Sequence, residues 1–173
     1  MPLACLRSIF LPAFLASFLV LCGAFYLEFG LGQIACPLCQ GQRLLLAAFS
    51  LVCLCGLIHR PSRRVARRYL WLCLALAIAG ALLATRHVWL QGLFPTDDTP
   101  CLQSMDYLVE QGSLIEWLQG MLVGAAECVP ITWSFMDLSV PELSLLAFLG
   151  LGVMVVSRLL PWREVNPPNP ARS

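Results

Sequence analysis

The sequence predicts an all-α membrane protein: a four-helix transmembrane bundle with a short interfacial helix in its second outer loop. Three observations carry that expectation. Hydrophobic residues make up 59% of the 173-residue chain and charged residues only 12%, about half the charged share of a soluble domain. Four long apolar runs are separated by more polar segments. The charges of the two signs also collect in different segments. A soluble fold of this composition, even one built on a single large helical core, would leave most of its surface apolar, which water does not tolerate.

The first apolar run, about Ile9–Leu27, has 19 residues, close to the roughly 20 that a helix needs to cross the hydrocarbon core. Arg7 precedes it as in a secretory signal, but the run exceeds the usual h-region of about 7–15 residues. No convincing small-residue cleavage site follows. Leu19-Val20-Leu21-Cys22 has the outline of a lipoprotein box, yet Leu21 is too bulky for the position before the cysteine. A retained first span is expected. The second uncharged run, Leu44–Ile58, has only 15 residues. It becomes adequate if the helix starts near Pro37, because proline suits the first helical turn. That start gives a span of about 37–58 and puts Arg43 inside the membrane edge. The third span is expected at about 69–90 and the fourth at about 143–160. These segments are apolar nearly all round, so amphipathicity does not select an inward face.

The loops set the orientation. The link 59–68 holds five arginines, Arg7 precedes the first span, and Arg158, Arg163 and Arg172 lie at or beyond the end of the fourth. These ends share a side carrying nine of the eleven arginines, which the positive-inside rule makes cytoplasmic. Nine of the ten acidic residues, all but Glu164, fall on the other side or at its edge. One domain is therefore expected, with outer loops at 28–36 and 91–142. In the second loop Leu114, Ile115, Trp117, Leu118, Met121 and Leu122 recur at helical spacing. They suit a helix lying on the membrane surface or one packed inside a small folded loop. The proline- and asparagine-rich tail 165–173 is expected to be disordered.

A net charge of +1 and the lack of a basic stripe interleaved with aromatics give no sign of a nucleic-acid partner. The informative residues are the nine cysteines. Cys22, Cys53, Cys55 and Cys73 lie within spans and Cys5 precedes the first. Core packing is the default for these five, since buried cysteine behaves as a small hydrophobe. Cys53 and Cys55 are two apart on a helix and so point to different faces. The other four, Cys36, Cys39, Cys101 and Cys128, are all outer, two per loop. Paired cysteines in an oxidising compartment usually form disulfides. A zinc site is disfavoured: Cys101 and Cys128 are 27 apart with no close cysteine beside either, and zinc sites use short knuckles or histidines.

A structural bridge gains most by closing a long loop, a use that a Cys101–Cys128 bridge would fit and a two-residue gap would not. Tight pairs such as Cys36-Pro37-Leu38-Cys39 are common at redox sites, where a helix N-terminus stabilises a thiolate. Cys39 falls in the expected first turn of the second span, where the dipole favours negative charge. Arg43, four residues on, shares its face and would lower the thiolate pKa further or meet a second anion. Arg86, His87 and Gln91 stand at the outer end of the third span, with His87 and Gln91 on one face. Polar groups at the membrane edge are expensive and often functional. A carbonyl-bearing ligand such as a quinone would use such donors, whereas interfacial anchoring beside Trp89 is the plainer use.

Together these residues resemble the bacterial disulfide bond formation protein B (DsbB) family. The resemblance rests on four spans, the run Cys36-Pro37-Leu38-Cys39-Gln40-Gly41-Gln42-Arg43, and the second outer pair Cys101 and Cys128. It also rests on Arg86-His87-Val88-Trp89-Leu90-Gln91 with Phe94-Pro95, and on Glu127-Cys128 followed by Trp133, Phe135, Leu138 and Pro141. It covers about residues 24–160. The family often has a glutamate where Gln42 stands, and the intramembrane cysteines have no assignable counterpart.

What the resemblance implies is an inner-membrane thiol oxidase, multi-pass with cytoplasmic termini and periplasmic cysteines. It would reoxidise a periplasmic DsbA-type dithiol protein and pass two electrons to ubiquinone or menaquinone in the bilayer's quinone pool. DsbA would attack a Cys101–Cys128 disulfide through Cys101, and Cys128 would attack Cys36 and release Cys39 as a thiolate. Arg43 would support the thiolate and the quinone, with His87 and Gln91 orienting the ring. DsbA itself sits at about −120 mV, a known value of this system, so its reoxidation needs a still stronger acceptor. Two other classes compete: a structural four-span protein with inert outer disulfides, and a vitamin K epoxide reductase-type oxidoreductase. The latter would carry its pair at the start of a later span.

Overall fold

The structure, a computed structural model, describes residues 3–31, 37–59, 61–93, 134–135 and 138–164. Cys36, Cys101, Cys128, the expected interfacial helix and the tail lie outside the described residues. Four long helices carry the fold: α1 (Leu3–Phe29), α2 (Pro37–His59), α3 (Arg63–Leu93) and α4 (Val140–Glu164). Each contains a stretch long and apolar enough to cross a membrane, namely Phe10–Phe29, Leu38–His59, Arg63–Leu90 and Val140–Leu160. The protein is an all-α, multi-pass membrane bundle.

The helices outrun their hydropathic cores for local reasons. α2 begins at Pro37, whose missing N–H costs nothing in a first turn. α3 begins at Arg63, six residues before the hydropathic start at Tyr69, so only residues 60–62 join α2 to α3. Its first turn is closed by Ala66 N donating to Ser62 O at 2.8 Å. Arg63, Arg64, Arg67 and Arg68 are exposed in these first turns. Cations at a helix N-terminus oppose the macrodipole, so their placement does not serve helix stability. α4 follows a short antiparallel strand pair in which Ser134 pairs with Ser139 and Phe135 with Leu138. Its start shows the carboxylate half of a capping box: Glu142 Oε2 accepts from Ser139 N at 2.7 Å and also from Ser139 Oγ at 2.9 Å. That capping pair moves the helix start ahead of Leu143, where hydropathy alone placed it.

Sequential helices pack side by side, α1 on α2, α2 on α3 and α3 on α4, and α4 closes back on α1. Two side-chain contacts show that α2 and α3 run antiparallel. Cys39 meets His87 at one level, and Cys53 meets Cys73 14 residues further along α2 and 14 back along α3. At 1.5 Å per residue these levels are about 21 Å apart.

The inward face of α3 is a regular stripe: Ala66, Leu70, Cys73, Ala77, Gly80, Ala84 and His87 are all buried, alternating four and three residues apart. Small side chains let helices approach closely in a bilayer, where apolarity alone gives no preference for a neighbouring helix over lipid. Phe148 of α4 fills the space above Gly80, and Phe10 of α1 lies against Gly56. Outward, Leu15, Phe18, Leu51, Trp71, Leu82 and Val153 are exposed, an apolar girdle suited to lipid. Cys53 and Cys73 are core residues, with sulfurs 3.6 Å apart and reduced. Cys55 is half-buried, but Cys22 is exposed on the outer face of α1. The expectation that Cys22 packs in the core is corrected, because the bundle buries little of α1 beyond Ser17.

Candidate active site

At the end of the bundle where α2 begins, three helices converge on one sulfur. Cys39 is the third residue of α2 and half-buried. Its first-turn position places it among backbone N–H groups with no intrahelical acceptor, where a thiolate is favoured. Its Sγ lies 3.9 Å from Nδ1 of His87 on α3. His87 closes the α3 stripe and is only 3% exposed, so the imidazole faces the bundle interior. A sulfur and an imidazole nitrogen at this separation can pass a proton between them.

One turn beyond Cys39, Gln42 is 6% exposed and fills the space between α2, α3 and α4. Its Nε2 is 3.5 Å from His87 Nδ1, and its Oε1 is 2.7 Å from Ser144 Oγ on α4. Ser144 Oγ also lies 2.9 Å from the Pro141 carbonyl. Among the described residues no buried side-chain nitrogen or oxygen lacks a hydrogen-bond partner. The polar cluster is therefore internally satisfied, as an apolar setting requires.

Arg43 turns the other way. Its Nη1 donates to Glu28 Oε2 in a salt bridge, and its Nη2 donates to the Ala24 carbonyl at 2.8 Å. The guanidinium carbon also stands 5.3 Å from the centre of the Phe25 ring, within range of a cation–π contact. These contacts all run to the last turns of α1. The spacing in the sequence puts Arg43 one turn from the sulfur; in the structure its guanidinium is paired with the Glu28 carboxylate. His87 and Cys39 are brought together as a couple that the sequence reading left apart. Gln91 lies in the last turn of α3, four residues beyond His87. No cluster of histidine, cysteine, aspartate or glutamate capable of holding a metal occurs among the described residues.

Sequence reasoning missed Glu28, Gln42 and Ser144 as members of the site. A signal existed for two of them. Glu28 ends the first apolar run just before the second begins, so a helical hairpin brings it to Arg43. Gln42 is a primary amide in an apolar span, three residues from Cys39 and hence on its face. Ser144 had none, since a serine can satisfy itself on its own helix, as Ser17 does on the Phe14 carbonyl.

The fold and this cluster define a class: a four-span membrane protein with a helix-terminal thiol paired to a buried imidazole. Comparison with known proteins narrows it. The family model for disulfide bond formation protein DsbB matches residues 6–157, and the chain belongs to that family. It is 50% identical over 163 residues to "Disulfide bond formation protein B 2" of Pseudomonas entomophila, covering 94% of this chain and 96% of the relative. Identity to "Disulfide bond formation protein B 1" of Pseudomonas aeruginosa is 44% over 161 residues, covering 92% and 98%. With "Disulfide bond formation protein B" of Methylococcus capsulatus it is 38% over 162 residues, covering 94% and 97%. No solved structure matches. Family membership makes the chain an oxidoreductase of disulfide bond formation.

Proposed function

We propose that the protein is a quinone-dependent thiol oxidase of the bacterial inner membrane that reoxidises a DsbA-type periplasmic dithiol protein. The observation that carries this reading is Cys39 Sγ, 3.9 Å from a buried imidazole at the first turn of an apolar helix. A bound quinone would supply an acceptor for two electrons and two protons. The residues present suit such a group: a guanidinium has five N–H donors, of which Glu28 and Ala24 engage those on Nη1 and Nη2, and the Phe25 ring lies beside it.

The partner's thiolate attacks a Cys101–Cys128 disulfide at Cys101, giving a mixed disulfide and freeing Cys128. The partner's second thiol resolves the mixed disulfide and leaves with its own disulfide closed. Cys128 attacks Cys36, breaking Cys36–Cys39 and releasing Cys39 as a thiolate. Cys101, freed when the partner leaves, then attacks Cys128, closing Cys101–Cys128 again and releasing Cys36 as a thiol. His87 holds or takes the proton at Nδ1. Closure of Cys36–Cys39 would pass two electrons and two protons to a bound quinone, so one dithiol would become a disulfide for each quinone reduced. Arg43 would donate toward a quinone carbonyl, and His87 and Gln91 of α3 would orient the ring. The exposed arginines at the start of α3 support the orientation, since cationic side chains there suit the anionic cytoplasmic leaflet.

The test uses the purified full chain in detergent, with ubiquinone and a reduced DsbA-type protein. Quinone absorbance should fall as two thiols disappear per quinone. Thiol loss without quinone reduction would overturn the reading, and disulfides left inert in thiol trapping would favour a structural four-span protein. Arg43→Ala should raise the apparent KM for quinone about tenfold, the effect of losing one hydrogen bond to a charged group, with kcat little changed. An unchanged KM would leave Arg43 as a pin between α1 and α2.

A further inference from the structure

Hydrogen counting at Gln42 leads beyond this reading, although it rests on Cys39 being the thiol that ionises. The Ser144 hydroxyl has one proton but two carbonyl neighbours, Gln42 Oε1 at 2.7 Å and Pro141 O at 2.9 Å. The Pro141 carbonyl can only accept. His87 Nδ1 likewise stands between two groups, Gln42 Nε2 at 3.5 Å and Cys39 Sγ at 3.9 Å. Amide orientation is set by the network around it, and here two arrangements satisfy these four contacts.

In the first, Ser144 donates to Gln42 Oε1, and Gln42 Nε2–H donates to His87 Nδ1. The ring proton is then on Nε2, and the unprotonated Nδ1 accepts from Gln42 with the Cys39 thiol 3.9 Å away. In the second the amide is turned over. Ser144 donates to the Pro141 carbonyl and accepts from the amide nitrogen, while the amide oxygen accepts from a proton on Nδ1. That proton is the one Cys39 has released, and the imidazole holding it faces a thiolate. The step balances: the S–H bond breaks, the Nδ1–H bond forms, and no electrons leave the pair.

We propose that Gln42, carried by Ser144, is a positioning residue that sets the protonation of His87 Nδ1 and turns its amide as the Cys39 proton passes across. The turn-over is open to the amide of this chain and not to the glutamate that the family often has here. A carboxylate can only accept and would hold a proton on Nδ1 from the outset; a methionine of the same length neither donates nor accepts. Replacing Gln42 with methionine leaves Ser144 with the Pro141 carbonyl and His87 Nδ1 with the Cys39 thiol. The variant therefore keeps its packing while losing both hydrogen bonds.

The experiment needs neither quinone nor partner protein. The full chain, reduced and in detergent, is alkylated at pH 7, and modification at Cys39 is followed by mass spectrometry of its own peptide. Ring-¹⁵N histidine labelling reads the tautomer directly, since the chain has two histidines and His59→Gln assigns the other. Gln42→Met should slow Cys39 alkylation about tenfold, the worth of one hydrogen bond to a charged group, and move the His87 Nδ1 resonance. Gln42→Glu should fix that resonance in the protonated form. Methionine with wild-type alkylation and an unmoved resonance would overturn the proposal. So would slowed alkylation without any change at His87, since packing alone could cause it. Failure of wild-type quinone reduction would instead remove the oxidase reading and leave these results standing.

Discussion

Cys39→Ser should reduce quinone-coupled turnover by at least about a thousandfold, in keeping with the loss of a group that acts covalently. Serine is nearly the size of cysteine, and Cys39 is only half-buried at a helix start, so the bundle should fold unchanged. The hydroxyl ionises far above the thiol and cannot form or break a disulfide. His87 would then face a hydrogen-bonding partner of the same shape with no electrons to pass on. The check is steady-state quinone reduction beside an apparent melting temperature taken at fixed scan rate. Loss of turnover at unchanged melting supports a chemical role; turnover at the wild-type rate would remove Cys39 from the mechanism.

The largest effect on stability should come from Gly80→Val. Gly80 is buried at the crossing of α3 and α4, and a Cβ built there overlaps the ring of Phe148. Phe148 is itself only 2% exposed, so the ring has nowhere to swing. Two effects oppose each other in the smaller change to alanine. Glycine costs a helix interior about 1 kcal/mol against alanine, whereas forcing extra carbon into a packed core costs about 1–3 kcal/mol. Overlap wins for alanine by a small margin. Valine adds two further carbons without alanine's helix preference, so Gly80→Val should separate α3 from α4 and lower the apparent melting temperature clearly. Gly150→Ala is the control: a Cβ there meets nothing within 4 Å, so melting should hold or rise. Equal melting for the Gly80 and Gly150 variants would mean that the α3–α4 contact contributes little.

Much of this architecture is written in composition and punctuation. Lipid demands long apolar helices with internally satisfied backbones, so four runs of sufficient length specify four spans without any knowledge of packing. Pro37 marks the start of α2, and that start alone puts Cys39 at a helix N-terminus. Cys39, Arg43 and His87 could therefore be singled out one by one as chemically expensive residues in an apolar chain. Helix ends were less legible. The ends at Arg63 and Val140 are closed by the first helical hydrogen bond to Ser62 O and by the Glu142 carboxylate on Ser139, to which a hydropathy scale is blind.

By itself, then, the sequence determined the class of fold, the number of spans, the resemblance to the disulfide bond formation family, and the thiol at the head of α2. Only the tertiary structure decided who stands beside whom. In water the buried face of a helix is marked by apolarity, but in a bilayer both faces are apolar and the inward one is marked by small residues and shape. That is why the stripe from Ala66 to His87 emerged only once α3 was packed, and why His87 then proved to face Cys39. Arg43 went to Glu28, and Gln42 came to lie between His87 and Ser144. Such pairings depend on helix rotation and crossing, which span length and hydropathy leave open.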